Sequence, residues 1–466
     1  MPRRVAHIHS DELIQAADCL PANEGRASLV HSLCDSYHLL HSSHDNAELS
    51  AEDQNSRARI AEPVRATREQ LTRFHDEGFI DAILGREKNL DSADNSDTGS
   101  SDDEEEEPAP RSFGLAPHPA YHPGSRSSAP PPRKRQKDDT ASSVGLQDDC
   151  PVFPDLPDYV QLVAGASIAA ARELRDGRAE VAINWTGGRH HAKRAEAAGF
   201  CYVADAVLAI MELRTPPRNA ASSICNSESS PPLPPPAPLE KVSRVLYLDL
   251  DLHHGDGVES AFFSSPHVLT LSMHLFAPLF FPSTGALDST GPKGARASAA
   301  GHALNLALEP GLAEETFRRV WESCIEKVAK TYDADAIVLQ LGVDGLAGDP
   351  CKEWNLSLAD LGFALERVLA WKKRTLLLGG GGYNSANAAR AWTYLTSIAL
   401  GRPLDLDAPI PADLPTTTYE EFAPSFTLDV PAGHISDRNT EETLSRVEAA
   451  FETYAARLAA RRTSST

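Results

Sequence analysis

The stretch Arg244-Val-Leu-Tyr-Leu-Asp-Leu-Asp-Leu-His-His-Gly-Asp-Gly-Val-Glu259 constrains the fold more than any other. Val245 to Leu248 is a continuous apolar run, which predicts a strand buried on both faces, as in a parallel sheet. Polar residues then enter at alternate positions, Asp249, Asp251 and His253. Side chains two apart in a strand point the same way, with Cα atoms roughly 6–7 Å apart. Asp251 and His253 can therefore grip one metal ion at the strand's carboxyl end, whereas helical spacing would turn them to nearly opposite sides. The following His254-Gly-Asp-Gly257 reads as a turn. Burying two carboxylates and an imidazole costs several kcal/mol unless something pairs with them, and a cation is the simplest partner. The plain alternative is a strand running into a solvated acidic turn.

The rest of the chain alternates strands with helices. Strands are predicted at Val5–Ile8, Glu180–Asn184, His267–Ser272, Ala336–Asp344 and from Thr375 into Gly379-Gly-Gly-Gly382. Helical spacing marks Glu24–Tyr37, Thr67–Leu84, Tyr159–Leu174, Gly199–Leu213, Leu312–Tyr332, Leu356–Trp371, Ala386–Leu400 and Glu441–Arg461. Asp11–Leu20 reads as a loop or helical turn. Such alternation predicts an α/β fold around a central, mostly parallel, multi-stranded sheet flanked by helices. Four strands end in reactive residues: His190/His191, Asp251/His253, Asp344 and Tyr383. Ligands bind at the carboxyl ends of strands in such sheets. These residues converge only if one sheet holds them all, so a single domain is expected from 1–86 and 147–466.

Two segments differ in composition. Residues 87–146 carry the acidic block Asp102–Glu107, Pro- and Ser-rich sequence and the basic run Pro130-Pro-Pro-Arg-Lys-Arg-Gln-Lys137. Low apolar content cannot offset the entropy of ordering, so this segment is expected to be a disordered insertion. Its basic run reads equally as a nuclear import signal or a solvated charge run. Residues 214–240 are Pro/Ser-rich and read as a second flexible insertion. The formal net charge of −22 disfavours direct grip on DNA phosphate and suits basic partners such as lysine-rich peptides. Seven scattered cysteines without a C-x-x-C pair fit a reducing compartment rather than a disulfide framework. With no signal core and no bilayer-length apolar run, the chain reads as soluble and intracellular, in nucleus and/or cytoplasm.

Two carboxylates and one imidazole, Asp251, Asp344 and His253, make a three-ligand site with an open position, the pattern of a catalytic metal. Zinc (Zn2+) suits mixed nitrogen and oxygen ligation, with iron (Fe2+) or another divalent ion as alternatives. Such an ion turns water into a nucleophile near neutrality or polarises a carbonyl. The His190-His191 pair is the best candidate for the proton-accepting base. The spare acids Asp249 and Asp256 can orient the two imidazoles. Tyr383, after a glycine run, can hydrogen-bond an oxyanion opposite the metal. Together these parts describe amide or ester hydrolysis. The glycine run alone would suit a phosphate cradle, but it lacks the accompanying Lys-Ser/Thr.

Six motifs carry a resemblance. Trp185-x-Gly-Gly-x-His-His191, Gly199-Phe-Cys-Tyr202, Asp249–Glu259, Phe280-Phe-Pro282, Gly342-x-Asp-x-x-x-Gly-Asp349 and Gly379-Gly-Gly-Gly-Tyr-Asn384 together resemble a class I histone deacetylase. The likeness is greatest to the type-eight, stand-alone branch. It runs from about residue 5 to the terminal helix and skips both insertions. It implies an arginase-like α/β domain that hydrolyses Nε-acetyl-lysine in histone tails or other proteins, as a nuclear regulator and repressor of transcription. It implies that Asp251, His253 and Asp344 bind zinc, that His191 is base and then acid, and that His190 is its electrostatic partner. Asp249 and Asp256 would orient the histidines, and Tyr383 would polarise the acetyl carbonyl.

The same resemblance implies that Gly199, Phe200 and Phe281 line a tunnel for the lysine stem, where aromatic walls suit four methylenes. Asp149 would hold the substrate backbone and Arg26 would sit in an internal acetate channel. Structural potassium (K+) would lie on main-chain carbonyls of Asp249, Asp251, His253, Ser272 and Met273, with a second ion around Phe262, Ser265 and Val268. Several positions depart from the family. Asp148 replaces a rim tyrosine. Cys351 replaces a larger tunnel residue, widening the channel. His302 replaces a tyrosine of the second potassium site. Pro350 and Ala386 stand where complex-forming members carry arginines, leaving dependence on a corepressor complex open. Two other readings remain: a deacetylase of acetylpolyamines or small amides, and a catalytically silent scaffold.

Overall fold

The computed structural model describes residues 3–41, 57–85, 143–217, 240–293 and 298–464. Its strands are β1 (Val5–Ile8), β2 (Arg59–Ala61), β3 (Val181–Asn184), β4 (Val245–Asp249), β5 (Val268–Leu275), β6 (Ala303–Leu308), β7 (Ala336–Gln340) and β8 (Arg374–Leu378). The helices are α1 (Asp11–Asp18), α2 (Arg26–Ser36), α3 (Arg68–Leu71), α4 (Glu77–Ile83), α5 (Leu156–Arg175), α6 (Asp205–Leu213) and α7 (Asp256–Phe262). After them come α8 (Glu314–Val320), α9 (Glu326–Tyr332), α10 (Leu358–Ala370), α11 (Ser385–Ala399), α12 (Thr416–Glu420) and α13 (Glu441–Ser464).

The strands form one sheet in the order β2-β1-β3-β8-β7-β4-β5-β6. Every neighbouring pair is parallel. Helices cover both faces, which explains why the central strands are apolar throughout rather than alternating. Within each strand, odd and even residues enter different cores. Ile183, Leu246, Leu248, Ile337, Leu339 and Leu377 pack towards α2, α10, α11 and α13. Ala182, Val245, Tyr247, Val338, Leu376 and Leu378 pack towards α1, α5 and α6. Each fully buried Val or Leu contributes about 1.5–3 kcal/mol, so a central strand has no polar position to spare until its end.

Several boundaries differ from the sequence reading. The helix expected from Gly199 begins only at Asp205. The single helix expected over Leu312–Tyr332 is α8 and α9 joined through a wider π turn, Trp321–Ile325. Strands β2 and β6 and helices α7 and α12 were not expected. Within the segment 87–146, Val144 and Leu146 are buried. The acidic block, the basic run and Cys225 lie outside the described residues. No described helix is long and apolar enough to cross a membrane.

Candidate active site

Strand register sets the site. Asn184 pairs with Leu378, Leu378 with Gln340, Gln340 with Asp249, and Asp249 with Ser272. The carboxyl ends of β3, β8, β7 and β4 therefore lie in one row at the centre of the sheet. Beyond that row each strand enters the loop that carries its candidate residues.

The loops after β3 and β8 touch backbone to backbone. A side chain at Gly188 would collide with the Gly379 carbonyl, and one at Gly379 with that of Trp185. The glycines thus permit a close approach between loops. A side chain at Gly342 would likewise strike the Asp251 carboxylate. Tyr383 is followed by Asn384, whose side chain accepts from the Asn387 N–H and caps α11.

Strand β4 ends at Asp249, so Asp251 and His253 do not lie on a strand as expected. They follow in a bend. The Asp251 N–H donates to Asp249 Oδ1 at 3.2 Å and the His253 N–H to Asp251 Oδ1 at 3.1 Å. These side-chain-closed turns, rather than strand alternation, bring both residues to the site. Asp344 comes from the loop after β7. His253 Nδ1 lies 2.9 Å from Asp344 Oδ2 and 3.3 Å from Asp251 Oδ1. Asp251 Oδ2 accepts from Gln340 Nε2 at 2.9 Å and from the Gly381 N–H at 2.8 Å. Asp344 Oδ1 accepts from the Leu252 N–H at 2.9 Å.

This donor set fits a divalent cation. Bonds of about 2.0–2.2 Å place neighbouring nitrogen and oxygen ligands roughly 3.3 Å apart in a tetrahedron, close to the separations from His253. Both carboxylates are almost wholly buried and crowd one imidazole nitrogen. Burial and the Asp251 charge push Asp344 up to about 7. Burial would also raise Asp251, but His190 and His253 hold it well below the usual carboxylate range. Burial would lower His253, yet hydrogen bonds to Asp251 and Asp344 raise it to about 10. The pocket thus favours positive charge between the two carboxylates. Among the described residues, the group whose donor atoms all lie within 4.8 Å of one another is His253, Asp344 and Cys351; Asp251 reaches the site through its 3.3 Å approach to His253 Nδ1.

The two adjacent histidines have different surroundings. His190 Nδ1–H donates to Asp249 Oδ2 at 2.9 Å, and its Nε2 is 3.7 Å from Asp251 Oδ1. Burial works against its charge, but Asp249 and Asp251 outweigh it and raise His190 to about 9. His191 Nδ1–H donates to Asp256 Oδ1 at 2.8 Å. Burial and the neighbouring His190 charge lower His191 to about 3, despite Asp256. His190 therefore keeps its proton, while His191 is neutral with Nε2 available as an acceptor. Tyr247 Oη donates to Asp249 Oδ2 at 2.7 Å, completing that carboxylate's shell.

Half-buried residues stand above these buried groups. Phe281 meets the His191 ring edge-on at 4.8 Å, and Phe200 meets Tyr383 edge-on at 5.8 Å. Phe280 stacks on His253 at 5.0 Å. The Asp149 carboxylate accepts from the Gly199 N–H at 2.6 Å, bracing the loop that presents Phe200. Arg26 is buried. Its guanidinium donates to the carbonyls of Gly382 at 2.7 Å and Gly380 at 3.1 Å, and lies over Trp392. It lines an internal cavity with His7, Asn23, His31 and Arg189. Ser272 and Met273 lie on β5 beside Asp249, whereas Ser265 turns back so that its N–H donates to the Phe262 carbonyl at 2.8 Å. Val268 opens β5.

Three supporting residues escaped sequence reasoning. Gln340, read as an interior residue of a strand Ala336–Asp344, is instead the last residue of β7 and holds Asp251 and the Gly342 N–H. Asp205 accepts from the N–H groups of Gly188 at 3.0 Å and Arg189 at 2.8 Å, fixing the turn before His190. Asp349 accepts from the Cys351 N–H at 2.9 Å and the Tyr383 N–H at 2.7 Å. Asp349 was visible only as the end of a motif.

Comparison with known proteins yields one consistent answer. Residues 21–222 and 237–399 match the histone deacetylase domain. The chain is 35% identical to histone deacetylase 8 of Danio rerio over 445 residues, spanning 96% of this chain and 93% of that protein. It is 33% identical to histone deacetylase 8 of Xenopus tropicalis, spanning 95% of each. Identity to histone deacetylase 1 of Homo sapiens is 37%, over 65% of this chain and 55% of that protein.

Proposed function

The chain belongs to the histone deacetylase family, in class I, and resembles type-eight members along nearly its whole length, and from that premise we propose that it is a zinc-dependent lysine deacetylase. It hydrolyses Nε-acetyl-lysine in histone tails or other proteins to lysine and acetate. The observation that carries this reading is the row of four central strand ends, whose following loops bring His190, His191, Asp251, His253, Asp344 and Tyr383 together.

Family members are metal-dependent. Asp251, His253 and Asp344 would hold the ion here, and zinc suits two oxygens and one nitrogen. When bound, the metal supplies Lewis acidity towards water and the acetyl carbonyl. His191 takes the proton from the attacking water at Nε2, held in that tautomer by Asp256, and returns it to the leaving lysine nitrogen. His190 stays protonated between Asp249 and Asp251, keeping His191 neutral and lending positive charge to the reacting centre. Tyr383 donates to the oxyanion. Phe200 and Phe281 wall the lysine methylenes, with Gly199 leaving room for them. Potassium on the carbonyls of Asp249, Asp251, His253, Ser272 and Met273 would brace the loop beneath Asp251. We extend the reading to action in the nucleus and/or cytoplasm.

Acetate release from acetyl-lysine peptides and from acetylspermidine, with metal content measured on the same sample, tests the reading. Faster turnover of peptide and its loss in His191→Ala are expected. Preference for acetylspermidine would reassign the substrate, and an inactive protein with full metal would point to a scaffold.

A further inference from the structure

Cys351 is set beside the metal pocket by more than proximity. It follows Asp349, a buried carboxylate whose two oxygens accept from the backbone N–H groups of Cys351 and Tyr383. The thiol is therefore carried on the same brace that positions the tyrosine. Its sulfur lies within 4.8 Å of ligand atoms of both His253 and Asp344. The residue is half-buried and packs against the edge of the main core. Cys34, Cys150, Cys201 and Cys324 are buried, and Cys19 is exposed.

We propose that the Cys351 thiolate is a fourth, displaceable ligand that closes the metal site when no substrate is bound. The inference rests on the metal reading given above. Zinc–sulfur bonds of about 2.3 Å and zinc–nitrogen bonds of about 2.0 Å put the two donors roughly 3.5 Å apart in a tetrahedron, so from within 4.8 Å a shift of at most about 1.3 Å brings the sulfur to bonding separation from His253. On coordination the S–H bond breaks, an S–metal bond forms and the proton leaves to solvent. An entering acetyl-lysine carbonyl reverses these steps. No oxidant or reductant is needed. A soft sulfur ligand also biases the site towards zinc or cobalt over harder ions.

The test uses the full chain without peptide. The cobalt-substituted protein should show a near-ultraviolet thiolate-to-cobalt charge-transfer band, and the zinc protein a sulfur neighbour near 2.3 Å by X-ray absorption. Cys351→Ser and Cys351→Ala should lose both signals while keeping the visible cobalt bands, and excess acetyl-lysine peptide should weaken the band in the unaltered protein. Visible cobalt bands without charge transfer, or a charge-transfer band that survives in Cys351→Ser, would overturn the inference and leave the metal reading intact. Failure of the protein to bind metal at all would overturn both.

Discussion

Replacing Asp349 by asparagine keeps the side-chain shape and removes its charge and one of its acceptors. The native carboxylate, 2% exposed, accepts from two N–H groups, one on each loop. The amide accepts from only one and presents an N–H₂ to the other. Losing a hydrogen bond to a charged group costs about 1.5–3 kcal/mol. If that loss falls on the placement of Tyr383, kcat drops about 10- to 150-fold, at 1.36 kcal/mol per tenfold. Tyr383→Phe, which removes the oxyanion donor itself, should lower kcat by ~10²–10³ with metal still bound. The decisive assay is the double-mutant cycle. With the hydroxyl gone, misplacing the ring matters little, so Asp349→Asn should add far less in the Tyr383→Phe background. Kinetics on an acetyl-lysine peptide, with metal content and unfolding midpoint measured on each protein, reads the cycle. Two losses that add to within about 0.5 kcal/mol would refute the positioning argument.

Gly199→Ala should depress kcat/KM with metal retained, because the residue has φ +57 and the new Cβ would strike the His191 ring and sit 3.0 Å from Phe281; unchanged steady-state kinetics would show that the rim relaxes freely. Replacing His190 by asparagine removes the neighbouring charge that helps hold His191 at about 3. The His191 pKa should therefore rise towards the free-imidazole value of about 6.5, and the acidic limb of kcat/KM should move to higher pH; a limb that stays in place contradicts the assignment. Asp205→Ala leaves the Gly188 and Arg189 N–H groups buried without their acceptor, a loss of about 2–6 kcal/mol together, visible as a lower urea midpoint.

What could be read from the sequence follows from the parallel sheet. Strands β3, β4 and β7, covered on both faces, are apolar until they end, so Asp249, Asn184, Asp344 and the Gly379 run stood out as places where chemistry begins. The same logic erred in detail at Asp251 and His253, because a buried bend closed by aspartate side chains imitates strand alternation over four residues. Strand β6 was not expected: Asn305 interrupts its apolar pattern, yet its Nδ2 donates to Glu259 Oε2 and to the Ser289 carbonyl. Asp205 and Asp349 could not be distinguished from ordinary acids. Apart from the Cys351 N–H two positions on, their backbone N–H partners lie 16–34 positions away, and an N–H has no signature in a sequence.

The supporting carboxylates also explain why the reactive residues sit on loops without losing precision. His190 and His191 follow a glycine pair pressed against the β8 loop and anchored by Asp205. Asp251 is held from below by Gln340 and from the side by Gly381. Tyr383 is fixed by Asp349 on one side and, through Asn384, by the first turn of α11 on the other. Each loop is thus tied to the neighbouring strand's loop as well as to its own strand. A change in one should be felt next door: loosening Asp349 disturbs Cys351 and Tyr383 together, and loosening Gln340 disturbs Asp251 and Gly342 together. Rigidity at this site is a property of the row of strand ends, which is why scattered segments of one chain can act as a single catalytic centre.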